Sequence, residues 1–135
     1  MVEAEACDCS VPASLRTWDE RMEWGLQRAT NVIQGRIVEI QAGESTVRDG
    51  RRVVLATMKV TSVVKGSLSS ADVVLVTTFG GGDCGIGGML LSSAGTGGEV
   101  ALEVHKAAER ENEFWVGLCG YGDFSVGQKR RRPAR

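Results

Sequence analysis

Apolar residues near the start of the chain recur at the spacing of a helix that has one apolar face. This spacing predicts a helix over residues 14–28, with Ser14 or Thr17 as its N-cap. The apolar face comprises Leu15, Trp18, Met22 and either Gly25 or Leu26. We expect Trp18 and the neighbouring Trp24 to pack into the core, with a surface-binding role for these rings as the alternative.

After this helix the pattern changes to that of β-strands, in which apolar residues alternate with polar ones or run continuously. It predicts five strands, over residues 31–41, 51–65, 72–78, 99–105 and 113–119. Gly35 in the first strand indicates a bulge or bend, and Asp49-Gly50 predicts a hairpin turn before the second strand. We interpret residues 80–88, which are rich in glycine, and residues 89–98 as pliant connections.

Length and strand count then limit the fold. A chain of 135 residues is expected to form one domain. Five strands that follow one another, with a long first hairpin that bends, favour a small closed barrel, because a flat sheet would leave its edges exposed. The oligonucleotide/oligosaccharide-binding (OB) barrel has five such strands. We therefore predict a mainly β protein, a five-stranded OB-fold barrel with one N-terminal helix.

Charge separates an acidic body from a basic C-terminal tail. The formal net charge is −1, but residues 128–135 carry five positive charges and no negative ones, which leaves −6 for the rest of the chain. We predict that residues 127–135 form a disordered basic tail, or alternatively a patch that attracts an anionic partner. An acidic body repels polyphosphate, so nucleic acid is not an expected partner, and membrane binding would be weak and confined to the tail.

The four cysteines, Cys7, Cys9, Cys84 and Cys119, favour two disulfides, for which three connectivities are possible. Structural zinc is an alternative, although one C-x-C pair and two isolated cysteines do not form the paired knuckles of zinc sites. Free buried thiols are the third interpretation. Disulfides persist in oxidising surroundings, so we expect an extracellular or periplasmic, secreted protein.

Residues 1–6 precede the first cysteine and contain no apolar run of the kind found in signal peptides. Ala4-Glu5-Ala6 nevertheless fits the small-x-small pattern after which signal peptidases cut. We therefore interpret residues 1–6 as a leader remnant or an expression scar.

Few residues suggest catalysis. His105 is the one histidine of the chain, and no nucleophile stands beside it in a recognisable motif. Glu109, Glu111 and Glu113 form an acidic cluster in a charged turn, and such turns are usually solvated. Residues 80–88 lack the Gly-Lys-Ser/Thr of phosphate-binding loops. We expect no enzymatic activity, no cofactor and no metal in the isolated protein.

Several short motifs, taken in order, resemble one family. The segment Cys7-Asp8-Cys9-Ser10-Val11-Pro12 resembles the C-x-C-x-x-P opening of netrin-like modules and of tissue inhibitors of metalloproteinases. Further along the chain, four more segments resemble motifs of that family: Val64-Lys65-Gly66, Cys84-Gly85, Glu99-Val100-Ala101-Leu102 and Cys119. The resemblance covers most of the chain and is to the single-domain bacterial type.

The resemblance implies a netrin-like OB domain over residues 7–126, with the N-terminal segment strapped across the barrel. It also implies the cysteine pairing, Cys7 with Cys84 and Cys9 with Cys119. The implied function is that of a secreted, monomeric, non-enzymatic interaction module. Its partner would be an extracellular metalloprotease or another secreted or cell-surface protein. The alternative is that the strapped segment only stabilises the barrel.

A second function, metalloprotease inhibition, follows from the same resemblance. In the animal inhibitors of the family, the α-amine and carbonyl of the first cysteine chelate the catalytic zinc of the protease, a role that falls on Cys7. The candidate protease-contact edge is then Cys7, Asp8, Cys9 and Ser10. Asp8 departs from the small or apolar residue of the family, and burying its carboxylate in an apolar pocket is costly. The chelate also requires that no residue precede Cys7.

Overall fold

The computed structural model describes residues 9–68, 71–80, 84–107 and 110–126. Residues 1–6, Cys7, Asp8, Glu109 and the tail 127–135, on which several predictions fall, lie outside the described residues. The described part is mainly β. Its elements in chain order are α1 (Trp18–Arg28), β1 (Val32–Arg48), β2 (Arg51–Lys65), β3 (Val73–Thr77), α2 (Gly87–Thr96), β4 (Glu99–Glu103), β5 (His105–Lys106), β6 (Glu113–Trp115) and β7 (Gly122–Asp123).

Helix α1 begins directly after Thr17, one of the two N-cap residues that the sequence predicts. The Thr17 hydroxyl accepts a hydrogen bond from the Glu20 backbone N–H at 3.0 Å, and a Glu20 carboxylate oxygen accepts one from the Thr17 N–H at 3.0 Å. This reciprocal capping box satisfies amides that the first helical turn leaves without partners. The backbone N–H of Thr17, and after it that of Arg16, which also donates to the Glu20 carboxylate at 2.8 Å, lower the pKa of Glu20.

The predicted burial of the helix is wrong. No residue of α1 is buried, Trp18 is 55% exposed, and Trp24 is half-buried. The helix contributes only its last turn to a small second cluster, where Leu26 packs with Ala29 and Val32. Its aromatic side chains are therefore left at the surface, because the main core is filled by the sheet and by α2.

The first two strands form one long hairpin, as predicted. Asp49 and Gly50 both have positive φ, 53° and 77°, which is the backbone of a two-residue turn that matches strand twist. The register of β1 and β2 shifts between Gln34 and Gly35, so the predicted bulge is present. A Cβ atom at Gly35 would overlap the backbone carbonyl of Lys59, so only glycine fits this close approach of the two strands.

The seven strands form one curled sheet in the order β5-β6-β3-β2-β1-β4-β7, and all neighbours are antiparallel except β3 and β6. Strands β4 and β5 lie near opposite ends of this order, yet only Val104 separates them along the chain. The sheet must therefore curl until its two ends almost meet, which gives a barrel-like shape. The Val104 N–H donates to the carbonyl of Asn31 at 3.0 Å and so secures this corner.

The predicted count of five strands is not confirmed, and the difference has a local cause. The predicted strand over residues 99–105 divides at Val104 into β4, which pairs with β1, and β5, which pairs with β6. The short strand β7 follows the last predicted strand along the chain and pairs with β4. Neither change is visible in the apolar pattern, because both depend on which strand lies alongside.

A second helix, α2, corrects the interpretation of residues 89–98 as a pliant connection. It ends at Gly97, whose φ of 73° is left-handed and whose N–H bonds the carbonyl of Ser93 at 3.1 Å. Leu90 of this helix is fully buried in the core. The core side chains with the least exposure include Ile33, Met58, Leu75, Leu90 and Leu102. No helix among the described residues is long and apolar enough to span a membrane.

Candidate functional site

One disulfide joins the N-terminal segment to the end of the last predicted strand. Cys9 pairs with Cys119 across 110 residues of sequence, with their Cα atoms 5.2 Å apart. This is one of the two pairings that the resemblance implies, and it is confirmed. Closing a loop of this length stabilises the folded chain by about 5 kcal/mol in the chain-entropy model, before native-state strain is subtracted.

Cys84 lies close to the same end of the molecule. Its carbonyl accepts a hydrogen bond from the Leu118 N–H at 2.8 Å, and Cys84 itself is disulfide-bonded. The predicted partner, Cys7, lies outside the described residues. No cysteine in the described part of the chain is a free thiol, and no cluster of three or more metal-ligating side chains occurs there.

A cleft of about 620 Å³ opens beside the Cys9–Cys119 disulfide. One wall is α1 and the other is formed by the ends of β4 to β6 and the segment that follows β6. Its volume is in the range of pockets that bind small molecules or peptide side chains. The side chains that line the two walls include Trp18, Arg21, Met22, Trp24 and Arg28 on the helix and Glu103, His105, Trp115, Leu118 and Tyr121 opposite.

All three tryptophans of the chain line this one cleft. Trp18 is 55% exposed, and two aliphatic neighbours at the rim, Val11 and Leu118, are 42% and 49% exposed. The guanidinium of Arg28 stacks on Trp24, with Cζ 4.4 Å from the ring centroid. The cleft therefore presents apolar and aromatic surface to solvent at one place, although aromatic residues make up only 5% of the chain.

The sheet positions the wall opposite α1. Trp115 is the last residue of β6, where it is held between Val76 on the parallel neighbour and His105 on the antiparallel one. The chain then turns outward, with the Val116 N–H bonded to the Val76 carbonyl at 3.0 Å. Tyr121 lies against Gly25 of the helix, where a Cβ atom would be 3.6 Å from the Tyr121 ring. The two walls of the cleft meet at this contact.

The acidic group of the cleft is held by its neighbours. One oxygen of Glu103 accepts a hydrogen bond from the Tyr121 N–H at 2.8 Å, and the other lies 3.4 Å from His105 Nε2. Burial raises the pKa of the Tyr121 hydroxyl, and the charge of Asp123 raises it further. Glu103 thus fastens the segment after β6 to β4, and the Tyr121 phenol stays protonated at neutral pH.

The predicted site residues divide between this cleft and other places. Of the candidate protease-contact edge, Cys9 lines the cleft and Ser10 is exposed beside it, while Cys7 and Asp8 lie outside the described residues. His105 also lines the cleft. Glu113 instead is buried, where hydrogen bonding from Arg48 lowers the pKa of its carboxyl and outweighs desolvation.

Sequence reasoning missed the cleft itself. Trp18 and Trp24 were expected in the core, and no pattern linked them to Trp115 or Tyr121. The local pattern carries no signal for the cleft, because the exposure of Trp18 depends on what packs against the helix.

The groups that line the cleft are of the kinds that are enriched at protein interfaces. Aromatic faces, two guanidinium groups and a disulfide form its walls, and its described lining contains no serine, threonine or free thiol. A scan against protein-family models finds no family that matches this chain, and a search of curated proteins finds no match either.

Proposed function

We propose that this chain is a secreted, disulfide-stabilised, non-enzymatic netrin-like module that binds a protein partner through the aromatic cleft. The observation that carries the proposal is the convergence of Trp18, Trp24 and Trp115 with Tyr121 on one exposed cleft. Tryptophan, tyrosine and arginine are the residues most enriched at the energetic centres of protein interfaces. The cleft contains all three types, whereas the rest of the chain has no tryptophan or tyrosine.

The strand arrangement supports the OB part of the proposal. The chain order β1-β2-β3, then a helix, then β4 and β6, is consistent with an OB barrel. In such a barrel β1 pairs with both its successor and the strand after the helix, and β3 pairs in parallel with the last strand. Pairings of this kind join β1 to β2, β1 to β4, and β3 to β6. The short strands β5 and β7 are then additions at its corners.

Two observations support the secreted and non-enzymatic parts. Long-range disulfides such as Cys9–Cys119 persist in oxidising compartments and are rare in a reducing cytosol. His105, the one histidine, contacts the Glu103 carboxylate rather than a nucleophile. General-base catalysis of a nucleophile needs the histidine within hydrogen-bond reach of that group.

Site-specific photo-crosslinking tests the proposal. A benzoylphenylalanine replaces Leu118, which is 49% exposed at the cleft, and in a matched control it replaces Val38, which is 53% exposed on β1. Each variant is irradiated with the extracellular or periplasmic proteins of its source. We expect discrete adducts from the Leu118 variant that the Val38 variant lacks. Equal adducts from both variants, or none from the Leu118 variant, would contradict the proposal.

Metalloprotease inhibition is the second candidate, favoured by one specific observation. The Cys9–Cys119 disulfide holds Cys9, two residues after Cys7, in the lining of the cleft. A free α-amine and the carbonyl of Cys7 form a five-membered chelate with zinc and displace its bound water. Chelation through Cys7 does not require the aromatic residues of the cleft.

Comparison of two forms of the chain tests this second candidate. One form begins at Cys7 and the other retains residues 1–6, and both are assayed against a zinc metalloprotease. We expect inhibition by the first form only, and stronger inhibition when Asp8→Ser removes the carboxylate. Equal inhibition by both forms, or by neither, would exclude chelation through Cys7 without affecting the crosslinking result.

A further inference from the structure

Two cations of the cleft have no carboxylate partner among the described residues. Arg21 and Arg28 are both exposed, and the ion pairs in that part of the chain involve other groups. The Nε of Arg21 donates to the Leu15 carbonyl at 3.1 Å, and Arg28 stacks on Trp24. Both guanidinium groups are therefore oriented by neutral partners and keep further N–H donors for a ligand.

Glu103, the one carboxylate among the described residues that line the cleft, does not offset these cations. Glu103 is only 17% exposed at its side chain and is engaged with the Tyr121 N–H and with His105 on the opposite wall. The acidic residues of α1, Asp19, Glu20 and Glu23, do not line the cleft, so a partner that enters it meets two positive charges along the helix wall. Because guanidinium groups bind carboxylates through paired N–H donors, the charge of this wall favours an anionic occupant.

The spacing of the two arginines determines how far apart the anionic groups of a ligand must lie. Residues seven apart on a helix lie on nearly the same face, separated by about 10 Å along the axis. Met22 and Gly25 lie between them along the same wall and line the cleft. The helix wall thus presents a cation, an apolar stretch and a second cation in order, with Trp18 beside the first and Trp24 beneath the second.

We infer that the cleft binds an acidic polypeptide segment in which two carboxylates about 10 Å apart flank an apolar side chain. The carboxylates pair with Arg21 and Arg28, and the apolar side chain enters between Met22 and the aromatic wall opposite. This inference rests on the proposed function and names the chemistry of its partner. The matching pattern of charge and apolar surface selects such a segment over a basic or purely polar one.

A selection from a phage-displayed library of random dodecapeptides tests the inference, with the whole protein immobilised through its C-terminus. We expect enriched peptides that combine Asp or Glu with Leu, Phe or Trp. The most enriched sequence, made synthetically with a fluorescein label, is then measured by fluorescence polarisation against protein variants. Its affinity should fall as salt concentration rises, since charged contacts are screened.

The decisive variants reverse two charges at a time. Arg21→Glu with Arg28→Glu should weaken the peptide at least about tenfold, because each change replaces attraction with repulsion. Arg36→Glu with Lys59→Glu is the matched control, since both residues are exposed and paired on the sheet, and it changes the net charge equally. It should leave the affinity unchanged. The pair Arg21→Gln and Arg28→Gln, with circular dichroism of each variant, separates lost contacts from lost folding.

Three results would overturn the inference. Enriched peptides that are basic or lack acidic residues would reject the charge assignment. Equal binding by the wild type and the Arg21/Arg28 variants would place the peptide elsewhere. If no peptide is enriched while a neutral oligosaccharide such as chitohexaose changes the tryptophan emission, the cleft binds sugar instead. In the first two cases, adducts from the Leu118 crosslinker would show that a protein partner is still bound and that only its assigned chemistry fails.

Discussion

Arg48 and Glu113 form a two-point ion pair across 65 residues of sequence. Arg48 Nε donates to one carboxylate oxygen at 2.9 Å and Nη2 donates to the other at 2.7 Å. The pair joins the far end of β1 to the first residue of β6, so it holds the long hairpin in its curled form. Glu113 is 5% exposed, and its carboxylate needs this partner because an isolated buried charge is strongly disfavoured.

Replacing Arg48 with methionine should therefore destabilise the fold by about 3 kcal/mol, since it leaves a buried carboxylate without its main partner. The measurement is urea unfolding at pH 7. Arg52→Met is the control, because Arg52 is an exposed neighbour on β2 and its loss should change stability by less than about 0.5 kcal/mol. The double variant R48M/E113Q should recover part of the loss. A single variant as stable as the wild type would show that the pair contributes nothing.

The same pair predicts a dependence of stability on pH. The pKa of Glu113 is lowered in the folded protein, chiefly by the Arg48 hydrogen bond. A group with a lowered folded pKa stabilises the fold fully above its unfolded pKa, about 4.3, and loses that contribution as pH falls through the folded pKa. The stability difference between wild type and E113Q should thus be constant near neutral pH and shrink below pH 4. A difference that grows on acidification would reverse the assigned sign.

Gly35→Ala should destabilise the hairpin by about 2 kcal/mol or more, because the new methyl group overlaps the Lys59 carbonyl and neither backbone moves cheaply. Gly43→Ala lies further along the same strand, where a Cβ atom has nothing within 4 Å, and it serves as the matched control. Its unfolding midpoint should stay unchanged or rise slightly. Equal losses in the two variants would mean that glycine at position 35 is not required by the close approach of β2.

Thr17→Ala should loosen α1 without unfolding the sheet. The substitution removes the cap and costs the helix about 1 kcal/mol. Because no residue of α1 is buried, that loss should appear locally, as faster amide exchange in the helix with little change in global unfolding. Ser14→Ala, the other candidate cap, should leave exchange unaltered. Faster exchange in β1 and β2 as well would show that α1 is coupled to the core.

Removal of the Cys9–Cys119 disulfide should lower the free energy of unfolding by about 2–5 kcal/mol. C9S/C119S is compared with the wild type by thermal unfolding, with tryptophan emission followed at low temperature. Because the disulfide lines the cleft, the emission of the native variant should also change. An unchanged melting temperature would indicate that the N-terminal segment is held in place by its other contacts.

Local features were predictable because neighbouring residues alone decide them. The N-cap at Thr17 (one of two predicted candidates), the turn at Asp49-Gly50, the bulge at Gly35 and the bounds of β2 each depend on side chains within a few positions or on glycine geometry. The Cys9–Cys119 pairing was expected from a resemblance of motifs rather than from any local rule. Low helix propensity in a stretch with several glycines concealed α2, which forms because Leu90 is buried against the sheet.

The candidate site was decided only by tertiary structure. The apolar stripe of α1 does predict a helix, but whether its aromatic rings face the core depends on what already fills that core. Here α2 and the curled sheet fill it, and α1 is left against the end of the barrel-like sheet with Trp18 exposed. The division at Val104 separates His105 from β4 and pairs it with Trp115 of β6. Periodicity thus determined where the elements lie, while long-range packing determined which faces remain open to bind.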